Sequence, residues 1–264
     1  MTIQYFDSHA HLCNDEIYPT IDSIIGRART NQVTNILNIC TDLDTLAKGL
    51  ALQKKYPGIY TAAATTPHDI ELEGEIAFPT IARHARNGDL TAIGETGLDY
   101  HRHGATAETQ KYFLRRYLQL ALECKLPVVI HCRDAYADFF KILDEEYIVE
   151  GKHAPGVLHC FTGTLEEAKE VIRRGWFLSL SGIITFKKSL ELREIAKWVP
   201  LDQLLVETDS PYLAPQSKRG SINEPSFVPE TVTAVASAKG ISVEEVAKVT
   251  SENCFRLIQK TSQT

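Results

Sequence analysis

Four histidines and two acids in this 264-residue sequence stand where a chain could gather metal ligands: His9, His11, Glu95, His131, His159 and Asp209. His9 and His11 close the first apolar run, in Phe6-Asp7-Ser8-His9-Ala10-His11. Strand alternation sends both imidazoles to one side, about 6–7 Å apart, which is half of a metal site. A lone H-x-H recurs by accident and needs partners. Glu95 follows Ala92-Ile93-Gly94, His131 follows Val128-Val129-Ile130, His159 follows Gly156-Val157-Leu158, and Asp209 ends Leu204-Leu205-Val206-Glu207-Thr208. Imidazoles and carboxylates at the mouth of an apolar core are costly unless paired or metal-bound, which favours a ligand set over a structural hydrogen-bond cluster. Neutral imidazoles with carboxylates suit zinc, manganese or magnesium. Six protein ligands exceed the three plus water of one catalytic site, so two divalent ions sharing a carboxylate is the simpler count. Glu95, the longer acid and opposite the histidine-bearing strands, is assigned the bridge. Asp209 is assigned to one ion and to general-base duty toward the attacking water. Two ions about 3.5–4 Å apart can hold a hydroxide and stabilise the leaving oxygen of an in-line phosphoryl displacement. Two dications against two carboxylates leave about +2, which attracts phosphate.

The elements that must position these groups alternate along the chain. Apolar, β-branched runs predict strands near 3–9, 33–41, 59–65, 91–96, 127–131, 156–160, 177–181 and 204–208. Amphipathic segments predict helices near 17–30, 43–56, 76–87, 107–124, 134–147, 164–174, 188–198, 228–239 and 242–259. Eight strands each followed by a helix is the rhythm of an α/β protein of the (β/α)8 TIM-barrel class, here a single domain over 1–264. A doubly wound sheet alternates in the same way, but no G-x-G-x-x-G follows the first strand. In a barrel the strand ends bearing the six groups converge on one face. Two connections are long: one holds Thr65-Thr66-Pro67-His68-Asp69 and then Glu71, Glu73 and Glu75, the other runs from Asp209 to Phe227. Long structured loops in compact domains are usually functional.

Around the six lie secondary candidates. Arg133, two positions after His131, could clamp phosphate with its guanidinium fork. Glu207 points as Asp209 does but deeper, and could orient a ligand histidine. Arg102, Lys187, Lys188, Lys218 and Arg219 could guide a nucleic-acid backbone, and Tyr100, Phe161 and Tyr212 could stack on bases. Cys132 and Cys160, each next to a ligand histidine, read as core residues facing the helices. His84, His101, His103 and His153 read as surface.

Composition narrows the class. Hydrophobic content of 44% and charged content of 23% suit a globular protein with a large core. The six cysteines form no C-x-x-C pair, which argues against a zinc ribbon or a disulfide framework and for a reducing compartment. Without an apolar signal region or a run of 18 apolar residues, no membrane role is expected and the cytoplasm is the default location. A net charge of −6 lacks the basic stripe of ordinary nucleic-acid binders, so phosphate would have to be attracted locally.

The motifs resemble the TatD-type metal-dependent deoxyribonucleases of the amidohydrolase superfamily. The similarity rests on Asp7-Ser8-His9-Ala10-His11, Ile93-Gly94-Glu95-Thr96-Gly97-Leu98-Asp99-Tyr100, His131-Cys132-Arg133 and His159-Cys160-Phe161-Thr162-Gly163. It continues through Glu207-Thr208-Asp209-Ser210-Pro211-Tyr212-Leu213 and Arg219 to Asn223-Glu224-Pro225, and so covers the chain end to end. The resemblance implies a TIM barrel and two divalent metals at His9, His11, Glu95, His131, His159 and Asp209. It also implies phosphodiester hydrolysis on DNA, a single-stranded or 3′-ended substrate, often from the 3′ end. Thr66-Pro67-His68 stands where the family usually has His-Pro-His, so the expected place of His68 beside the scissile phosphate rests on one histidine rather than two. Gly94-Glu95-Thr96-Gly97 replaces the usual Gly-Glu-Ile-Gly, with the change on the face away from the metal. The alternative is the same water activation directed at an ester or amide, such as an aminoacyl-tRNA or a cyclic amide. A monomer or weak oligomer is expected.

Overall fold

The structure is a computed structural model that describes residues 3–102, 104–148 and 153–259. Eight parallel strands follow one another around a barrel: β1 (Tyr5–Ala10), β2 (Val33–Cys40), β3 (Ile59–Ala63), β4 (Ala92–Asp99), β5 (Val128–Arg133), β6 (Gly156–Leu158), β7 (Phe177–Leu180) and β8 (Leu204–Val206). Each pairs with its successor in sequence order. The ring closes at its mouth, where Ala10 bridges Ser210, His11 N donates to Ser210 O at 2.8 Å and Asp209 N donates to His9 O at 2.9 Å. Nine helices wrap the ring among the described residues: α1 (Ile21–Thr30), α2 (Leu43–Lys55), α3 (Ile70–Asn87), α4 (Ala107–Cys124), α5 (Tyr136–Glu146), α6 (Leu165–Arg173), α7 (Leu190–Trp198), α8 (Val228–Lys239) and α9 (Val243–Ile258). The expected (β/α)8 barrel is therefore the observed architecture. No helix among the described residues is long and apolar enough to cross a membrane.

Two apolar layers sort the strand residues. Ile36, Ile93, Ile130, Leu178 and Val206 belong to the large core shared with the helices. Phe6, Ile39, Ala62, Ala92, Val129, Val157, Phe177 and Leu205, one from each strand, form a second cluster with Cys254 and Leu257 of α9. This is the inside of the barrel. The helix starts follow their sequence signals: Asp42 accepts the Thr45 N–H at 2.8 Å, and Thr164 and Glu167 form a reciprocal capping box.

Of the boundaries that differ from the sequence reading, two stand out. α3 begins at Ile70 rather than near 76, so Glu71 and Glu73 form its first turn, where acids complement the helix dipole. A start near 76 would place Pro79 in the first turn, where proline costs little. The buried series Ile70, Gly74, Ala77 and Ile81 instead carries the helix through Pro79. β4 runs on to Asp99, past the expected end at 96, through a bulge that no local pattern announces.

Candidate metal centre

The inside layer explains how the six residues reach one place. His131 and His159 lie two positions beyond Val129 and Val157, and Asp209 lies four beyond Leu205, so even spacing keeps them on the inner face. His9 and Glu95 lie three positions beyond Phe6 and Ala92, an odd spacing that should turn them outward. Each strand corrects this with a register shift. Asp7 pairs with Ile36 but Ala10 with Asn38, and Gly94 pairs with Val129 but Thr96 with Ile130. One extra residue enters each strand, which is the definition of a β-bulge. Glycine makes the second bulge possible. A Cβ on Gly94 would lie 2.5 Å from Val129 O, and one on Gly97 would lie 1.8 Å from His131 O. Asp209 and Cys160, the residue after His159, hold left-handed backbones at φ 58° and 44°. For non-glycine residues this stores strain of order 1–3 kcal/mol each, as functional sites often do.

The side chains converge tightly. Glu95 Oε2 faces His9 Nε2 at 3.4 Å and His11 Nε2 at 3.5 Å, while its Oε1 faces His131 Nδ1 at 3.2 Å and His159 Nε2 at 3.1 Å. One carboxylate is thus divided between two histidine pairs. Asp209 Oδ1 closes the first group, 3.6 Å from His9 Nε2 and 3.5 Å from His11 Nε2. Those two ring nitrogens lie 3.2 Å apart. A tetrahedral shell of nitrogen and oxygen donors about 2.0–2.1 Å from zinc spaces neighbouring donors about 3.3 Å apart, so the distances fit ligands to a shared ion. Glu95, His131 and His159 form the second, three-sided group. The donor set fits two divalent cations.

The electrostatics agree. Burial would raise the Glu95 carboxyl, yet His159, His131 and His9 outweigh it and hold it well below the usual range. Burial would likewise raise Asp209, and His11, His9 and His159 lower it overall. Burial would lower His11, His131 and His159, but the facing carboxylates raise all three. His9, fully buried, is lowered by burial and then by His159, whose ring stacks on it at 3.9 Å. Carboxylates that draw a proton onto buried imidazoles also draw a divalent cation.

The secondary candidates divide. Glu207 lies where expected, with Oε1 3.4 Å from His159 Nδ1 and accepting the Cys160 N–H at 2.7 Å. His68 and Arg133 line the same cavity as His11, Glu95, His131, His159 and Asp209, a space of about 1080 Å³ also bordered by Arg102, Tyr212 and Leu213, with His9 buried behind them. His68 lies with its Nε2 3.6 Å from Asp99 and its ring edge-on to His131 at 5.2 Å. Lys218 and Arg219 instead cover Phe227 and Phe186. Phe161 is buried against Tyr136, and the Tyr100 hydroxyl donates to Asp138 at 2.7 Å, which leaves Tyr212 as the aromatic of the three on the cavity wall. Cys132 is buried in the core shared with the helices, as expected, while also touching the cavity; Cys160 borders the cavity because its left-handed backbone departs from strand alternation. His101 is exposed, whereas His84 and His153 are half-buried; His103 lies outside the described residues. The sequence reading missed Asp99, whose Oδ2 accepts from His131 Nε2 at 2.8 Å. The usable signal was its place two positions beyond Gly97, on the face of Glu95 once β4 is extended.

A family model described as TatD related DNase matches residues 6–259. A metal-dependent hydrolase of Bacillus subtilis, YabD, is 38% identical over 255 residues, spanning 96% of this chain and 98% of the relative. A protein of Cronobacter sakazakii named 3′-5′ ssDNA/RNA exonuclease TatD is 35% identical over 260 residues, spanning 97% and 98%. The crystal structure of YjjV, a TatD homolog from Escherichia coli K12, superposes with a TM-score of 0.90 at 24% identity, covering 98% of this chain and 99% of that one.

Proposed function

The chain belongs to the TatD related DNase family of metal-dependent hydrolases, and from that premise we propose that it removes nucleotides from the 3′ end of single-stranded DNA. The observation that carries the proposal is the division of Glu95 between two histidine pairs, which favours two ions over one. His9, His11 and Asp209 would hold one ion with Glu95 Oε2, and His131 and His159 the other with Glu95 Oε1. When bound, such ions activate water and neutralise charge that develops on a phosphoryl group.

The remaining steps belong to the chain's own residues. Asp209, held below the usual carboxylate range, stays ionised near neutrality and accepts the proton of the attacking water. Arg133 and His68, on the same cavity wall, bind the phosphate oxygens and fix the scissile group against the cluster. A cavity of about 1080 Å³ has room for a nucleotide and its neighbour.

The test is nucleotide release from end-labelled single-stranded DNA by chelator-stripped protein reloaded with magnesium, manganese or zinc, beside Asp209→Asn. Ladder-like shortening from the 3′ end, restored by metal and lost in the variant, is the expected result. Shortening from the 5′ end alone would refute the polarity. An acidic rim of Asp15, Asp42 and Asp44 on the same cavity supports a second reading, an ester or amide substrate that carries an ammonium group, such as an aminoacyl-tRNA. Metal-dependent deacylation without any DNA cleavage would select it.

A further inference from the structure

Asp99 has no part in the chemistry described so far, yet its carboxylate is buried and held on every side. Its Oδ1 accepts the backbone N–H groups of His101 at 2.8 Å and Arg102 at 2.9 Å. Its own N–H donates to Gln110 Oε1 at 2.8 Å, and Gln110 Nε2 donates back to Asp99 O at 3.0 Å. Little freedom remains to the side chain. The other oxygen, Oδ2, is 2.8 Å from His131 Nε2 and 3.6 Å from His68 Nε2. A carboxylate only accepts, so the bond to His131 requires a proton on Nε2. In the neutral ring Nδ1 then carries the lone pair, and it faces Glu95 Oε1 at 3.2 Å. A lone pair facing a carboxylate is repulsive unless a proton or a metal ion is shared between them.

We propose that Asp99 is a positioning residue that fixes His131 as the Nε2–H tautomer and so presents Nδ1 as a metal ligand. The inference rests on the two-ion reading above and adds to it the group that orients one ligand. Glu207 stands to the ring of His159 from the opposite nitrogen, at 3.4 Å. The second ion is therefore served by two rings, each backed by an acid, an arrangement whose loss typically weakens metal binding 10–100-fold. Asp99 also faces His68 at 3.6 Å, so one carboxylate holds a ligand ring and lies beside the ring expected nearest the phosphate.

The test is Asp99→Asn in the full chain. The amide oxygen can still accept the two backbone N–H groups, but Nδ2 now donates toward His131 Nε2 and favours the opposite tautomer. Long-range proton–nitrogen correlation spectra of histidine-labelled, metal-free protein, recorded at a pH high enough that the His131 ring is neutral, read the tautomer directly. Wild type should show His131 protonated on Nε2, and the variant on Nδ1. Calorimetric titration with zinc should find two ions in wild type; in the variant the second should bind about 10–100-fold more weakly and the first unchanged. Asp99→Ala, which removes both the acceptor and the new donor, should weaken the second ion without inverting the tautomer. A wild-type His131 protonated on Nδ1 overturns the assignment whether or not either variant folds. Equal affinity for the second ion in all three proteins overturns it as well. A wild type that binds one ion sinks the two-ion reading instead, and the metal-free spectrum still decides the role of Asp99.

Discussion

Glu95 is the residue on which both halves of the cluster depend. Removing it should cost both ions at once, because each of its oxygens faces a different pair of imidazoles. Glu95→Ala is expected to fall from two bound metals to less than one, by elemental analysis, and to lose hydrolysis while its far-ultraviolet circular dichroism stays that of the parent. Full activity in that variant would refute the bridge. Asp209→Asn should act differently: the ion shared with His9 and His11 weakens, and kcat falls by about 10²–10⁴-fold, the usual worth of a positioned general base. Unchanged kcat at saturating metal would assign the proton transfer elsewhere.

The bulged β4 strand shows at the level of one element how the site is built and why part of it escaped the sequence. A methyl group on Gly97 would lie 1.8 Å from the backbone oxygen of His131, and neither strand can yield without moving a ligand. Gly97→Ala should lose about 3 kcal/mol or more in urea denaturation, or fail to accumulate as folded protein; a loss under about 1 kcal/mol would mean the bulge relaxes easily. A second element, the segment after β8, is tied to α1 where Arg27 Nε donates to Glu224 Oε1 at 2.9 Å. Burial would raise Glu224, but Arg27 and Ser226 outweigh it and hold the carboxyl below its ordinary value. A depressed folded pKa gives stability that is present above the unfolded value and lost as pH falls through the folded one. Glu224→Gln should therefore be less stable than wild type by about 1 kcal/mol at pH 7, a modest figure because Arg27 is half exposed to solvent. The gap should close as both are melted at progressively lower pH. His131, His159 and Asp209 were legible because each ends an apolar run in even register with the inside layer. Asp99 was not, since a strand read as ending at 96 leaves it in a loop. The bulges at Ser8–His9 and Gly94–Glu95 were hidden for the same reason: they answer to neighbouring strands, not to local sequence.

At the scale of the whole molecule, a chain of net charge −6 that acts on the proposed substrate must bind its phosphates through a small positive region. Arg102 and Arg133 line the cavity that Asp15, Asp42 and Asp44 also border. Each phosphate contact on a single strand contributes a salt slope of about 0.7, so two arginines give a slope of about 1.4 in log KM against log salt. Arg133→Gln should reduce that slope by about 0.7 for an oligonucleotide. An unchanged slope would remove Arg133 from the substrate path. The seam where Ala10 meets Ser210 sets a further condition on the molecule. His9 and His11 leave the ribosome well ahead of Asp209, their partner across the seam, which emerges some two hundred residues later. Half of the cluster cannot assemble until the last strand has docked against the first. A nascent or truncated chain that stops short of Asp209 is thus left without that half, and the metal centre stays incomplete until synthesis has passed the eighth strand.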